Sequence, residues 1–361
     1  MTSVSKAPDG AEGGHGLESG LTALSGSAGD VAGVEAAMSG GVGLPLMLQW
    51  VRERESVRIR KDSGVPPPWT ADPVIANYRF CNVRREDDRV TIWIRENIRK
   101  PYAKHPHLWL MLCIARQINH PDTLHELIES TEGWPLDNFS PEFMAHVMND
   151  RQARGLKVYT GAYMISAPPT KGADKQTYIA ETVIGKLWTA REAFGRYLRQ
   201  EPPFAPTLAG MHERLSAFNG WGPFMAYQAV VDMRFTPLLN GSADIETWWA
   251  AGPGTLRGLN RLNGRDKDYP LKQPQARSEL RNLWHAVQTW GEVPMDATDV
   301  PNICCEFDKW MRVRNGEGKP RAGYVPATAT PPQGTRPATP AGDGYEQAAP
   351  AAHQPNLAQK D

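Results

Sequence analysis

Apolar residues recur at helical spacing through the middle of the chain, and strand-like alternation is rare. In residues 85–100 they fall at i, i+3, i+4 and i+8, which places one apolar stripe on a helix that stops at Pro101. Ser140 is a capping residue followed by a proline, so a helix should start there and run toward Gly155. The same reasoning predicts helices at residues 107–119, 176–199, 207–218, 223–234, 275–290 and 300–314.

These helices predict one all-α domain over residues 44–324, flanked by two tails of different composition. Residues 1–43 are rich in Gly, Ala and Ser, and residues 325–361 are rich in Pro, Ala, Thr and Gln. Neither segment has enough large apolar residues to form a core. Both tails are therefore predicted to be disordered.

Charge and cysteine content narrow the class of protein. Lysine plus arginine and aspartate plus glutamate both number 40, so the formal net charge is zero and any nucleic-acid contact must be local. The four cysteines form no C-x-x-C pair, which favours a reducing compartment. The chain shows neither a signal peptide nor an apolar run of the roughly 18 residues that a membrane span needs. We expect an intracellular protein without a membrane partner, and the scattered histidines predict no metal site.

A glycine-containing turn separates two of the predicted helices. Gly220, Trp221 and Gly222 lie between an apolar helix and a second helix that starts at Pro223, so residues 207–234 resemble a helix-hairpin-helix. In such a hairpin the glycines let backbone N–H groups approach a phosphate closely. The alternative is an ordinary turn between two helices, since a single G-x-G is weak evidence.

One aspartate follows the hairpin at the place where helix-hairpin-helix base-excision enzymes carry an essential aspartate. Asp244 lies in a polar loop just before Ile245–Trp249, so it is also a credible N-cap for a short helix there. Asp232, inside the preceding helix, is a weaker candidate because it could lie on a solvated face.

Residues 252–258 form a glycine-dense segment with one arginine. We expect a turn in which Gly254, Arg257 and Gly258 approach a phosphate closely. The chain has no G-x-x-x-x-G-K-[ST] motif, so it is not expected to be a P-loop kinase by itself.

Residues 304–312 place several reactive side chains on one predicted helical face. Glu306 and Lys309 are three residues apart, and Cys305 and Arg312 belong to the same face. The carboxylate could move a proton while the cations hold an anion. The alternative is a salt-bridged surface helix with a half-buried cysteine, because Glu/Lys pairs at this spacing are commonplace.

Residues 78–89 are dense in arginine and carboxylate, with one amide, between aromatic residues. Arg79, Asn82 and Arg84 are the candidate contacts to a base and a phosphate in this segment. The alternative is a charge network that caps a helix, and composition alone does not separate the two.

Four segments together resemble one family, the phage helical proteins of DNA thymine hypermodification. The segments are NYRFCNVRRE (77–86), TGAYMI (160–165), the stretch 220–258 and CEFDK (305–309). The family includes the helical domain associated with 5-hydroxymethyluracil DNA kinases and the α-glutamyl/putrescinyl thymine pyrophosphorylases, which look like distant relatives of helix-hairpin-helix DNA glycosylases. The likeness extends from about residue 66 to residue 324.

The resemblance implies a transferase that replaces the phosphate or pyrophosphate of phosphorylated 5-hydroxymethyluracil in DNA with an amino acid, such as glycine, or with a polyamine. The partners would be double-stranded DNA and other hypermodification enzymes in the host cytoplasm, where the modification helps phage DNA evade restriction, and no cofactor is implied. The alternatives are an accessory helical subunit of a 5-hydroxymethyluracil DNA kinase, a DNA glycosylase and an unrelated helical structural protein.

The resemblance also implies roles for the candidate residues. Asp244 or Glu306 would take a proton from the attacking amine. The base would be turned out of the stack onto Trp221, Trp248 or Tyr78. The full site comprises, for catalysis, Asp244, Glu306 and Lys309, and, for binding of DNA, base and phosphate, Arg79, Asn82, Arg84, Gly220, Trp221, Gly222, Gly254, Arg257, Gly258 and Arg312.

Overall fold

The computed structural model describes residues 43–318 apart from residues 131, 161–167, 169 and 171. These described residues form helices and connecting loops without a β-strand, which confirms the predicted all-α class. The predicted disordered tails and most of the segment 160–165 lie outside the described residues. None of the helices in the described ranges combines the length and the apolar character that crossing a bilayer requires.

The α-helices are short to medium in length and follow one another closely along the chain. In chain order they are α1 (Gly43–Asp62), α2 (Pro73–Asn77), α3 (Arg89–Ile94), α4 (Leu108–Ile118), α5 (Pro121–Glu129), α6 (Pro141–Ala153), α7 (Lys175–Thr177), α8 (Gly185–Thr189), α9 (Arg191–Leu198), α10 (Leu208–Ser216), α11 (Pro223–Arg234), α12 (Pro253–Leu262), α13 (Gln273–Trp290) and α14 (Val300–Arg314). Two π-helical segments, Arg95–Arg99 and Tyr178–Ile184, continue α3 and join α7 to α8.

Most of the predicted helices are confirmed, with two corrections at their boundaries. The helix predicted from residue 85 starts instead at Arg89, because Asp88 has extended backbone geometry and its carboxylate accepts the N–H groups of Val90 and Thr91 as an N-cap. The helix predicted over residues 176–199 is divided at Ala190. Ser140 caps α6 as predicted, since its hydroxyl accepts the N–H of Phe143.

The buried apolar side chains form two cores. The first core contains residues between positions 94 and 248 and includes α4, α10 and α11. The second core combines the N-terminal residues 44–83 with residues 249–310, so that α1 packs beside α12 and α14. Ile245 packs against both cores. The chain therefore leaves the second core after residue 83 and returns to it after residue 248.

A buried ionic cluster lies where the two cores meet. Asp232 of α11 is fully buried, and its carboxylate accepts hydrogen bonds from Arg116 (Nη2 to Oδ1, 2.8 Å) and from Arg85 (3.3 Å). The backbone N–H of Arg85 donates to Asp299, just before α14 (2.8 Å). The expectation that Asp232 faces solvent is wrong, because the two arginines let the carboxylate be buried at this junction.

The charges around Asp232 settle its protonation state. Burial alone would raise the pKa of this carboxyl, but Arg116 and Arg85 outweigh burial and hold the pKa below its usual value. The group is therefore an ion pair with two arginines at neutral pH. The sequence analysis named Asp232 but missed its burial, although an aspartate between Val231 and Met233 in an apolar run was a usable signal of burial.

Candidate functional site on helix α14

Helix α14 brings two of the predicted clusters together. The segment that follows α2 lies along this helix, where the side-chain amide of Asn302 donates to the backbone oxygen of Asn82 (3.3 Å). One turn later the backbone N–H of Cys81 donates to Oε2 of Glu306 (3.0 Å). The Arg-rich segment and the Glu306 face are therefore parts of one surface of the second core.

Glu306 is the carboxylate at the centre of this surface. It is only 7% exposed, and its Oε2 also accepts a hydrogen bond from Nζ of Lys309 (3.0 Å). Among the described residues, no hydrogen bond reaches Oε1. One oxygen is thus fixed by a backbone donor and a cation, while the other remains available to a substrate proton.

Lys309 is held in place by an aromatic ring as well as by Glu306. Its ammonium lies 4.8 Å from the ring centroid of Phe80, within the range of a cation–π contact. The predicted pairing of Glu306 with Lys309 on one helical face is therefore present, and the ring fixes the position of the positive charge.

Two cysteines, Cys81 and Cys305, flank Glu306, and both are poor nucleophiles in this environment. The negative charge of Glu306, followed by burial of the sulfur, raises the pKa of the Cys81 thiol well above its usual value. Burial, followed by the charge of Glu306, raises the pKa of Cys305 to about 11. Since the thiolate is the reactive form of cysteine, both side chains remain protonated at neutral pH. The carboxylate is the stronger candidate for the reactive group.

Arg257 of α12 lies near Cys305 of α14 and is already paired. Its Nε donates to Oδ2 of Asp308 (2.9 Å), while Arg261 donates to Oδ1 of the same carboxylate (2.8 Å). Asp308 is almost fully buried, whereas the side chain of Arg257 is 32% exposed. The remaining N–H groups of Arg257 are thus the part of this pair that an anion could contact.

The expected phosphate-binding turn at Gly254 and Gly258 is wrong. These glycines lie inside α12, which crosses α14 so closely that a Cβ on Gly258 would lie 2.2 Å from the backbone oxygen of Cys304. A Cβ on Gly254 would lie 2.4 Å from the sulfur of Cys305. The two glycines, four residues apart, permit close helix packing and do not face a ligand.

Four other predicted binding residues lie on or near α14. Two of them have hydrogen-bond or ion-pair partners within the protein, and two keep donor groups without a partner in the described residues. Asn82 donates to the backbone oxygen of Asp87 (2.8 Å) and Arg84 pairs with the Asp87 carboxylate (2.6 Å), as in the alternative interpretation of a local charge network. Arg79 is exposed and makes no ion pair within the described residues. Arg312 is half-buried, and its Nε lacks a hydrogen-bond partner there.

The predicted hairpin lies in the first core, where Trp221 is buried, while Gly222, Pro223 and Phe224 at its turn are exposed. Gly220 has a φ of 84° and packs so tightly that a Cβ would lie 2.6 Å from a methyl carbon of Val183. Trp221 is fully buried, and its indole N–H donates to the Val183 oxygen (3.4 Å), so it is not available to stack on a base. Gly222 has open space around it at the start of α11, where no side chain caps the helix. Phosphate binding at Gly222 stays a prediction.

Asp244 also belongs to the first core, and it caps a different helix from the one predicted. Its two carboxylate oxygens accept the N–H groups of Leu208 and Ala209 at the start of α10, each at 2.9 Å. The residues after Asp244 form a turn closed by its own backbone oxygen rather than a helix. No hydrogen bond or ion pair in the described ranges joins Asp244 to Glu306. The structure therefore does not bring the two predicted catalytic carboxylates into one hydrogen-bonded group.

The fold and the α14 surface define an all-helical protein with a carboxylate–lysine site on one of its two cores. The model of the family "5-hmdU DNA kinase, helical domain" matches residues 43–320, and the chain belongs to this family. The resemblance inferred from the four sequence segments is thereby confirmed.

A curated relative agrees with this assignment. The 5-hmdU DNA kinase of Bacillus phage SP10 is 25% identical to this chain over 233 residues, which cover 57% of this chain and 34% of the kinase. The chain thus spans about a third of the length of that relative. No solved structure matches the chain significantly, and its likeness to helix-hairpin-helix glycosylases remains a prediction.

Proposed function

We propose that this chain acts on phosphorylated 5-hydroxymethyluracil in phage DNA and replaces the phosphate with an amine. Membership of a family named for a 5-hmdU DNA kinase domain supports the modified base as the substrate. The observation that carries the reaction type is the Glu306 carboxylate, which has one oxygen fixed by Cys81 and Lys309 and the other without a partner in the described residues. An amino acid or a polyamine would supply the amine.

In the proposed reaction the amine nitrogen attacks the 5-methylene carbon of the base. The carbon–oxygen bond to the phosphate breaks, and the phosphate leaves with the bonding electrons. The attack gives a secondary ammonium group, and Glu306 takes the proton that this group loses as it becomes the neutral amine. Lys309 and the free N–H groups of Arg257 stabilise the negative charge of the leaving phosphate.

A stacked base shows its 5-methylene group only in the major groove, where the amine, the carboxylate and the lysine do not fit around it together. The nucleotide would therefore leave the helix stack before the reaction. Tyr78 is half-buried next to the Glu306 surface and is the remaining aromatic candidate to receive the base. Trp221 is fully buried and Trp248 is 9% exposed, so neither offers an open ring face.

The test is mass spectrometry of nucleosides from DNA that carries phosphorylated 5-hydroxymethyluracil, after incubation with the protein and a mixture of amino acids and polyamines. We expect a new aminated thymidine and a rate roughly 100- to 10,000-fold lower for Glu306→Gln, the range for loss of a general base. Glu213→Gln, a change of an exposed glutamate on α10, should keep the wild-type rate. Abasic sites in place of the aminated product would identify a glycosylase and contradict the proposal.

A second candidate function is an accessory role in the kinase step. The observation that favours it is the family match over residues 43–320, because the family is described as the helical domain of a 5-hmdU DNA kinase. An accessory chain would leave the nucleosides unchanged by itself and would increase the rate at which a separate kinase phosphorylates 5-hydroxymethyluracil in DNA. Measuring that rate with and without this protein separates the two functions.

A further inference from the structure

The sequence contains four Asn-Gly pairs, and their surroundings in the structure differ. The pairs begin at Asn219, Asn240, Asn263 and Asn315. Asparagine is one of the chemically labile residues. Its side-chain amide carbon can be attacked by the backbone nitrogen of the next residue, and a glycine there has no Cβ to block the approach. This reaction needs a glycine N–H that is free to react and an asparagine side chain that can turn toward it.

The pair that follows α12 has both reacting groups in hydrogen bonds. The side-chain amide of Asn263 donates to the backbone oxygen of Leu259 (2.9 Å) and to the carboxylate of Glu279 (3.1 Å). The N–H of Gly264 donates to the backbone oxygen of Arg261 (3.2 Å). These bonds must break before the nitrogen can attack the amide carbon, so this pair should react slowly.

The pair that follows α14 is held in the same way. The side-chain amide of Asn315 donates to the carboxylate of Glu317 (2.9 Å). The N–H of Gly316 donates to the backbone oxygen of Val313 (3.1 Å). This pair should also react slowly, because the same two kinds of hydrogen bond oppose the attack.

The pair at the turn of the predicted hairpin is constrained by packing. Gly220, which follows Asn219, lies tightly against the side chain of Val183 and has a φ of 84°. Its backbone oxygen accepts a hydrogen bond from the side-chain amide of Gln117 (3.0 Å). The backbone at this pair therefore cannot rotate freely into the geometry that the attack requires.

The pair formed by Asn240 and Gly241 has none of these constraints within the described residues. Both residues are exposed, and neither the side chain of Asn240 nor the N–H of Gly241 makes a hydrogen bond there. A Cβ placed on Gly241 would meet no atom within 4 Å beyond its chain neighbours. The two reacting groups can therefore meet without the loss of a hydrogen bond.

We propose that Asn240 is a site of spontaneous covalent modification, in which its side chain closes a succinimide ring with the Gly241 nitrogen. That nitrogen loses its proton to a base in solution and attacks Cγ of Asn240 within the same chain. The new carbon–nitrogen bond replaces the bond from Cγ to Nδ2, and Nδ2 receives a proton from the base and leaves as ammonia. Water then adds to one of the two ring carbonyls and gives either aspartate or isoaspartate.

The modified turn lies next to residues that fix the start of α10. The hydroxyl of Ser242 donates to the backbone oxygen of Pro206 (3.0 Å). Asp244 accepts two N–H groups at the start of α10. Either product adds a negative charge to this turn, and isoaspartate also adds a carbon atom to its backbone. The proposal concerns the first core and does not rest on the transfer reaction.

The experiment incubates the full chain in mildly alkaline buffer and follows each pair by mass spectrometry of tryptic peptides. The four pairs fall in separate peptides, at residues 215–234, 235–257, 262–265 and 315–321. We expect the peptide 235–257 to gain the mass of an amide that becomes a carboxylate at least about tenfold faster than the peptides of Asn263 and Asn315, whose hydrogen bonds must first break. Asn240→Gln should abolish this change. Asn315→Gln is the matched control and should leave the rate at Asn240 unaltered.

Two further measurements separate the effect of the fold from the effect of the sequence. In concentrated urea every asparagine has the same following residue and no fold around it, so the four rates should become similar. Hydroxylamine, which cleaves a succinimide, should cut the folded chain between residues 240 and 241. The inference is wrong if Asn240 reacts no faster than Asn263 or Asn315 in the folded protein. It is also wrong if the product contains no isoaspartate, because direct hydrolysis of the side chain gives aspartate alone.

Discussion

Asp232 in the last turn of α11 and Glu306 in the middle of α14 are both helical carboxylates, but their surroundings differ. Asp232 is fully buried at the junction of the cores, and both of its oxygens accept hydrogen bonds from arginines. Glu306 lies at the surface of the second core, with one oxygen bonded to Cys81 and Lys309 and the other without a partner in the described residues. A buried carboxylate with both oxygens paired to arginines stabilises the fold, whereas one with a free oxygen next to a cation can still react.

The largest predicted effect is the loss of stability in Asp232→Asn. The change leaves Arg116 and Arg85 as buried charges without their counter-ion, and breaking a buried pair in this way costs about 3–5 kcal/mol. Urea unfolding followed by circular dichroism measures the free energy of unfolding. Asp137→Asn, at an exposed position of the first core region, is the matched control and should change stability by less than about 0.5 kcal/mol.

Glu306→Gln is expected to lower the free energy of unfolding much less than Asp232→Asn. The amide retains an acceptor for the N–H of Cys81, so its cost should be far smaller than that of Asp232→Asn. An equal loss of stability in the two variants would show that Glu306 is as structural as Asp232 and would remove the distinction between the two carboxylates.

The next largest effect concerns the two glycines beside the Glu306 surface. Gly258→Ala forces a methyl group to within 2.2 Å of the Cys304 oxygen, and overpacking of this kind typically costs about 1–3 kcal/mol. Gly252→Ala, at the open start of α12, is the control and should be tolerated. A phosphate-binding role predicts the opposite result, in which Gly258→Ala folds normally and binds DNA more weakly.

The glycines show where sequence reasoning reached its limit. Helix α14 and the pairing of Glu306 with Lys309 were predictable, because both depend on spacing within one helix. Gly254 and Gly258 were misread because their role depends on a second helix that approaches from elsewhere in the chain. A glycine pair four residues apart has the same local pattern whether it faces a phosphate or another backbone.

The same limit applies to the acidic residues. A solvated face was one interpretation of Asp232, since nothing local shows that Arg116, more than 100 positions earlier, lies against it. The alternative that Asp244 caps a helix at Ile245–Trp249 is wrong, because that helix does not form and the carboxylate instead accepts N–H groups at the start of α10, whose N-cap is Thr207. Contacts within one helix can be predicted from the spacing of residues in the sequence. Contacts between segments that are distant in the sequence are known only from the three-dimensional structure.

A third prediction concerns pH and the junction where Arg85 links the two cores. Asp299 accepts the N–H groups of Arg85 and Asp296 and also faces Tyr227, and burial raises its pKa to about 7 from an ordinary value of 3.8. A raised carboxyl pKa means that the folded protein binds this proton more tightly than the unfolded chain does. The contribution of Asp299 to stability is therefore present below about pH 4 and is lost as the pH rises through about 7.

The difference between wild type and Asp299→Asn isolates this group from the other carboxylates. Between pH 5 and 7 the wild type should lose stability relative to the variant by at most about 1.4 kcal/mol per pH unit, and the difference should level off above pH 7. Urea unfolding at several pH values measures it. Parallel stability curves for the two proteins over this range would show that Asp299 has an ordinary pKa and that the junction does not respond to pH.

The smallest predicted effect tests whether Asp244 stabilises the fold, as Asp232 does, or takes part in the reaction, as proposed for Glu306. Asp244→Ala removes both acceptors at the start of α10 and should cost about 1 kcal/mol, as loss of an N-cap usually does. Asp244→Asn keeps one acceptor and should cost less. Both variants, once folded, should transfer the amine at the wild-type rate, because Asp244 has no contact with the Glu306 group in the described residues. If instead both variants are fully stable and inactive, Asp244 is a reactive group, and the conclusion that the chemistry lies on the second core alone is wrong.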